Sequence, residues 1–340
     1  MSKIIHCFPR FRRFGGAQKV ILTLHNLLGD KYTSYVSSFQ RYFDTIDSFQ
    51  DVVPDTKYFR MSVLNLLKFR NAIVFSHDRK VTLFLLFFSK IFHFQLIHVA
   101  HSVFTDKKLF TFFPYRIVAV SEAVKHNLVH FFEIKEERIS VIYNGVEDGV
   151  GKLSIKEYSD SGVLNILFLA QIEPVKQQLE VLKHLKEKLK PTVKIDFAGS
   201  GGQAAELQKV IENYDLHNQF RYLGFISDVN ALITDYHYVL LFSKKEGLGL
   251  SLIESCMNSR PIITRGAGGC EACAEVCINN FNGFIVNSLD DLESLLNSLD
   301  QIPFPNYKEL CFNSRQVFEN KFSLERMVKE YESVIQKLIL

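Results

Sequence analysis

The segment Glu246-Gly247-Leu248-Gly249-Leu250-Ser251-Leu252-Ile253-Glu254 places two carboxylates eight residues apart around a pair of glycines, directly after a strand-like run ending at Ser243. If a helix begins near Gly249, its free N–H groups and the positive end of its dipole make a site for phosphate. Gly247 and Gly249 let the backbone approach such a group closely. Glu246 then falls on the loop before the helix and Glu254 more than a turn inside it. A carboxylate repels phosphate, so each acid must spend its oxygens on hydroxyls, as on a sugar and a ribose. The plain alternative is a helix start with a flexible glycine loop and two solvated glutamates, and spacing alone leaves both open.

Other residues that could do chemistry also follow strand-like runs. Gly15-Gly16 comes after Lys3 to Phe8, His101 after Leu96 to Ala100, Gly199-Ser200-Gly201 after Lys194 to Ala198, and Phe225 after Phe220 to Leu223. Lys176 follows the run Leu164 to Ala170, with Gln171 between them. A histidine in such a place is more often structural than functional, and a lone glycine pair is weak evidence of a site. Cys270, Cys273 and Cys277 cluster, but a structural zinc site wants four ligands and no further Cys or His pair completes one. No Asp-x-Asp pair for a catalytic divalent metal is present, so neither a metal nor another cofactor is expected.

The elements that must position these residues repeat a rhythm. Six strand-like runs in the first half (Lys3 to Phe8, Tyr35 to Phe39, Ala72 to Ser76, Gln95 to Ala100, Arg116 to Val120, Ile139 to Tyr143) alternate with helical stretches. The second half restarts with Leu164 to Ala170, Lys194 to Ala198, Phe220 to Leu223, Tyr238 to Ser243, Pro261 to Thr264 and Gly283 to Val286. This alternation predicts an α/β chain with two doubly wound parallel sheets, whose ligands sit outside the carboxyl ends of the strands. The expected division is residues 1–150, a polar linker 151–162, a second domain 163–322 and a final helix 323–340. Length agrees, since 340 residues exceed what one core usually holds.

The order of these segments resembles the family 4 retaining glycosyltransferases of GT-B fold over nearly the whole chain. Their signature is a glutamate, seven residues and a second glutamate, opened by a stretch like Glu-Gly-Phe-Gly; Glu246 and Glu254 match, with Leu248 where Phe is common. The resemblance implies that Glu246 contacts hydroxyls of the donor sugar and that Glu254 binds the ribose. It gives the diphosphate to the amides from Gly247 through Gly249 to Leu250, with Ser251 beside them. Gly15 and Gly16 match a glycine loop near the donor phosphate, and His101 a histidine near the reacting centre. Gly199, Gly201 and Phe225 match loops lining the nucleotide pocket, and Lys176 the lysine that neutralises the leaving diphosphate. One departure stands out: five residues before that lysine the family commonly has arginine after glycine, whereas this chain has Ala170 and Gln171. Gln171 can donate hydrogen bonds to the donor but supplies no charge, so the missing cation is expected from Arg10, Arg12 or Arg13 beside the glycine loop or is simply absent. In this fold the C-terminal helix crosses back to the first domain.

The function implied is metal-independent transfer, with retention, from a UDP- or GDP-linked sugar to a glycan or lipid-linked acceptor, as in bacterial envelope polysaccharide or lipopolysaccharide synthesis. A nucleotide-sugar binder without catalysis and a GT-B epimerase are the rivals. A dinucleotide oxidoreductase is disfavoured, because Gly199-Ser200-Gly201-Gly202 lacks the third glycine at the required spacing. No nucleic-acid partner is expected. Charge is uneven: residues 1–150 hold 20 Lys+Arg against 13 Asp+Glu, the remainder 20 against 24. The basic first half, with Arg10, Phe11, Arg12, Arg13 and Phe14 together, fits contact with an anionic membrane surface, with a partly buried loop and ordinary solvated charge as the open alternatives. The opening residues lack a long apolar run, so a cytoplasmic protein is expected, peripheral at the inner face of the membrane. The greasiest stretch, Leu83 to Phe88, is too short to span a bilayer and reads as a core helix.

Overall fold

The computed structural model describes residues 2–12, 15–150, 155–157, 162–266, 268 and 270–339. The chain divides into two compact units, 1–144 with 325–340, and 145–324. Of the stretch read as a linker, only Ile155, Lys156, Glu157 and Gly162 are among the described residues.

The first unit is built on a parallel sheet in the order β3-β2-β1-β4-β5-β6-β7. Its strands are β1 Lys3–Cys7, β2 Thr33–Ser38, β3 Tyr58–Arg60, β4 Ala72–Ser76, β5 Gln95–Ala100, β6 Arg116–Ala119 and β7 Ile139–Val141. The sheet turns at β1, which pairs with both β2 and β4, Ile5 lying opposite Tyr35 and Val74. These strands read as near-continuous apolar runs because both faces are covered; β4 is buried throughout. One face carries a core of Ile5, Cys7, Leu66, Phe69, Val74, Val81 and Leu85. The final helix Leu324–Ile339 belongs to this unit. Its buried Tyr331 meets Phe75 edge-on at 5.7 Å, and Gln95 Nε2 donates to Leu338 O at 3.0 Å.

The second unit repeats the plan in the order β10-β9-β8-β11-β12-β13, again all parallel. The strands are β8 Leu164–Leu169, β9 Val193–Ala198, β10 Phe220–Gly224, β11 Tyr238–Leu241, β12 Ile262–Arg265 and β13 Gly283–Val286. Here the order reverses between β8 and β11.

Two expectations need correction. Phe11 is not a surface aromatic: it is 1% exposed, stacks on Phe49 at 4.3 Å and its N–H donates to Gln40 Oε1 at 2.8 Å. Apolar area won over the basic neighbours that made it look peripheral. Arg13 and Phe14 lie outside the described residues. The run Leu83 to Phe88 belongs to the helix Arg79–Ser89, and it is not wholly core, because Leu83 and Phe87 face outward while Leu85 is buried. Three strand-forming residues, Tyr58–Arg60, add an edge strand that the sequence pattern did not mark.

Candidate functional site

In the second unit the loops leaving β8 and β11 meet at the point where the strand order reverses, the place where open parallel sheets hold ligands. Lys176 lies on the first loop and Glu246 on the second. Lys176 Nζ donates to Glu246 Oε1, and Ser243 Oγ donates to the same oxygen at 2.8 Å. The side chains of Lys176 and Glu246 are only 19% and 11% exposed. A charge so far out of water needs a partner, and each supplies the other's. Lys244 N donates to Val175 O at 2.8 Å, tying the two loops together by backbone as well.

Downstream, Gly249 takes φ +80 and caps the helix Leu250–Met257. An L residue there would be strained, and a Cβ would lie 3.2 Å from Leu241 Cδ2. The helix start therefore falls where the spacing placed it. Both glutamates are buried, Glu254 at 8% exposure, so they are not the solvated pair of the plain alternative. Leu248 is a core residue at 2% exposure, which leaves only its backbone for a ligand, while Leu250 and Ser251 are half-buried.

Gly199 and Gly201 have a packing reason for being glycine. A Cβ on Gly199 would lie 2.0 Å from Ala170 O, and one on Gly201 2.2 Å from Ile172 O. Gly199 N is already bonded to Gly224 O at 2.8 Å. These contacts hold the end of β9 against the loop that carries Lys176. Gln171 is exposed on that loop, and its carbonyl accepts from Gln178 Nε2 at 2.9 Å. Phe225, after β10, is 68% exposed.

Arg265 was missed by the sequence reading. It ends β12, donates to Gln177 Oε1 at 2.9 Å beside Lys176, and sits 5.6 Å from the Phe242 ring centre. Its position after the run Pro261 to Thr264 was the available signal. Cys270 and Cys273 are buried with sulfurs 3.0 Å apart. The Cys270 contact and burial hold the Cys273 thiol well above its usual range, and burial does the same for Cys277. Among the described residues the one grouping with metal-ligand spacing is His184, Asp290 and Glu293, which includes none of the cysteines.

In the first unit Gly15 caps the helix Gly16–Gly29 in extended conformation. His101, after β5, contacts His77 (Nε2 to Nδ1, 2.9 Å), and His77, after β4, contacts His6 on β1 (Nε2 to Nδ1, 3.2 Å). This row of imidazoles spans the reversal point of the first sheet. Burial lowers every member: His6 to about 3, His101 to about 4, and His77 well below the ordinary value. His98, bonded to Thr82 Oγ1 at 2.7 Å, is lowered to about 3 by the same cause. His101 is therefore a neutral imidazole at pH 7 and supplies no positive charge.

Two parallel-sheet units, each with loops at a strand-order reversal, are the architecture of the GT-B glycosyltransferases. The chain matches the model of Glycosyltransferase Family 4 over residues 14–149 and that of Glycosyl transferases group 1 over residues 153–303, and it belongs to these glycosyltransferases. HepE of Anabaena, solved with UDP and glucose, superposes with a TM-score of 0.82 at 16% identity, over 99% of this chain and 100% of that one. The GtfA subunit of the UDP-N-acetylglucosamine–peptide N-acetylglucosaminyltransferase of Streptococcus agalactiae is 25% identical over 56% of this chain and 41% of its own length. The O-antigen biosynthesis glycosyltransferase WbnH of Escherichia coli is 25% identical over 64% of this chain and 59% of its own length. The chain thus matches less than two thirds of the length of these curated relatives.

Proposed function

We propose that the chain transfers a sugar, with retention of anomeric configuration and without a metal, from a nucleotide-diphosphate sugar to a glycan or lipid-linked acceptor of envelope polysaccharide synthesis. The observation that carries this reading is the buried Lys176–Glu246–Ser243 cluster at the strand-order reversal, next to a glycine-started helix. When a donor enters, Lys176 turns its ammonium to the diphosphate and Glu246 its oxygens to sugar hydroxyls, so each exchanges the other for a ligand group. The amides at the start of Leu250–Met257 receive the diphosphate, and Glu254 the ribose. Arg265 supplies the second cation that Gln171 does not. Charge that develops on the leaving phosphate is stabilised by such preplaced donors, and a leaving oxygen on the same face takes the acceptor proton. That HepE was solved with UDP and glucose, and that WbnH acts in O-antigen biosynthesis, supports this donor and acceptor class.

A panel of UDP-, GDP- and ADP-sugars, read by hydrolysis and then with lipid-linked acceptors, tests the reading, and proton NMR of the product gives its anomer. An inverted product, or turnover abolished by EDTA and restored by manganese, contradicts it. Glu246→Ala should lower kcat by about two orders of magnitude or more with nucleotide affinity nearly unchanged, and Arg265→Gln should lower it by roughly tenfold to a hundredfold. Unchanged turnover removes the residue from the site. A second reading, nucleotide-sugar binding without catalysis, is favoured by Gln171 alone; it requires UDP or GDP to raise the melting temperature while no donor turns over.

A further inference from the structure

We propose that the outward side of the segment Val63–Phe69 and the helix Arg79–Ser89 is a docking face for an anionic lipid bilayer. Both elements pack their inner sides on one core: Leu66 and Phe69 from the first, Val81 and Leu85 from the second. Their outer sides are unusually apolar. Val63–Phe69 is a 3-10 helix, so residues three apart share a side, and Leu64 and Leu67 are 90% and 69% exposed. On Arg79–Ser89, Leu83 and Phe87 stand four apart on one side, Phe87 at 73% exposure, with Ile91 exposed just beyond. An exposed apolar patch of this kind marks an interaction surface.

The charge around it names the occupant. Residues 56–105 contain seven Lys and Arg and a single acid, Asp78. That acid is committed, because Asp78 Oδ1 accepts from Lys80 N at 2.8 Å and Val81 N at 3.2 Å as the helix cap. Arg60, Lys68, Arg70, Lys80 and Lys90 are exposed. A second copy of this chain would bring cations against cations, whereas phosphate headgroups meet the basic side chains while Leu and Phe enter the acyl boundary. No helix among the described residues is long and apolar enough to cross a membrane, so attachment is interfacial. The inference does not depend on the donor site: binding is read without donor or acceptor, and its failure leaves the transfer reading untouched.

The test is co-sedimentation of the full chain with phosphatidylglycerol-rich vesicles and with phosphatidylcholine vesicles. Strong partition to the first, weakened by high salt, is expected. Leu64→Glu with Leu67→Glu should weaken it by at least about tenfold, each step of that size being roughly 1.4 kcal/mol, while Tyr214→Glu, an exposed aromatic of the second unit, should not. Circular dichroism checks the fold, and Lys68→Glu with Lys90→Glu provides a second variant that alters no apolar residue and should also release the chain. The proposal is overturned if the wild type stays in the supernatant, if both double variants bind as well as wild type, or if light scattering without vesicles shows a dimer that Leu64→Glu with Leu67→Glu dissolves.

Discussion

What His101 can offer a ligand is decided two residues away in the imidazole row, at His6. With all three rings neutral, their protons must point the same way along the row. In one setting His101 Nε2–H donates to His77, His77 Nε2–H to His6, and His6 Nε2 is left holding a proton. In the other, His6 Nδ1–H donates to His77, His77 Nδ1–H to His101, and His101 Nδ1 carries a proton. His6 Nε2 is buried without a partner among the described residues. A buried orphan N–H is rarer and costlier than a buried bare lone pair, so the second setting wins, making His101 a donor at Nδ1. Long-range proton–nitrogen spectra of histidine-labelled protein should show His101 protonated at Nδ1; a spectrum with the proton on Nε2 refutes the argument. None of this was legible in the sequence, where His6, His77 and His101 stand in three separate runs and only the sheet brings them into line. The Glu246 and Glu254 spacing was legible, because a loop and a helix start are local events. The Lys176–Glu246 contact was not, because it joins loops 70 residues apart.

At the scale of elements, most strands were readable since parallel strands buried on both faces must be continuous apolar runs bounded by breakers. Tyr58–Arg60 escaped because three residues set no period. The helix Arg79–Ser89 was misjudged as core because a run apolar on all sides carries no periodicity to show which side is out. Glycine at 199 and 201, matched to a ligand loop by the family resemblance, is also demanded by backbone approach. Gly201→Ala should therefore destabilise the protein by about 1–3 kcal/mol or more, since a Cβ would overlap backbone that has no rotamer to change. Gly29→Ala, where a Cβ meets nothing within 4 Å, should be neutral or stabilising. Urea midpoints compare the two, and equal midpoints would contradict the packing argument.

For the whole molecule the buried histidines have a consequence for stability. His6, His98 and His101 have folded values of about 3, 3 and 4, and His25, desolvated beside Ser34, about 4. The unfolded chain takes up protons near the ordinary histidine value while the folded chain does not. Stability contributed by these neutral rings is thus complete above that value and declines as pH falls from about 6.5 toward 4, by about 1.4 kcal/mol per histidine per pH unit. The melting temperature should change little between pH 8 and 7 and fall clearly between 7 and 5. A flat profile to pH 5 would mean that these rings are not desolvated.

By itself the sequence determined the class of fold and the two-unit plan, because these follow from local periodicity and the rule that parallel strands need covered crossovers; the return of the last helix to the first unit was implied only by the family resemblance. It also placed the Glu246–Glu254 segment at a helix start. Only the tertiary structure decided which charges pair, which glycines are forced by a neighbouring backbone, that Arg265 bonds to Gln177, the residue after Lys176, and that Phe11 goes inside while Leu64 and Phe87 stay out. Each of these depends on contacts between segments distant in the chain, and a local pattern of residue types does not say which distant segment will supply the partner.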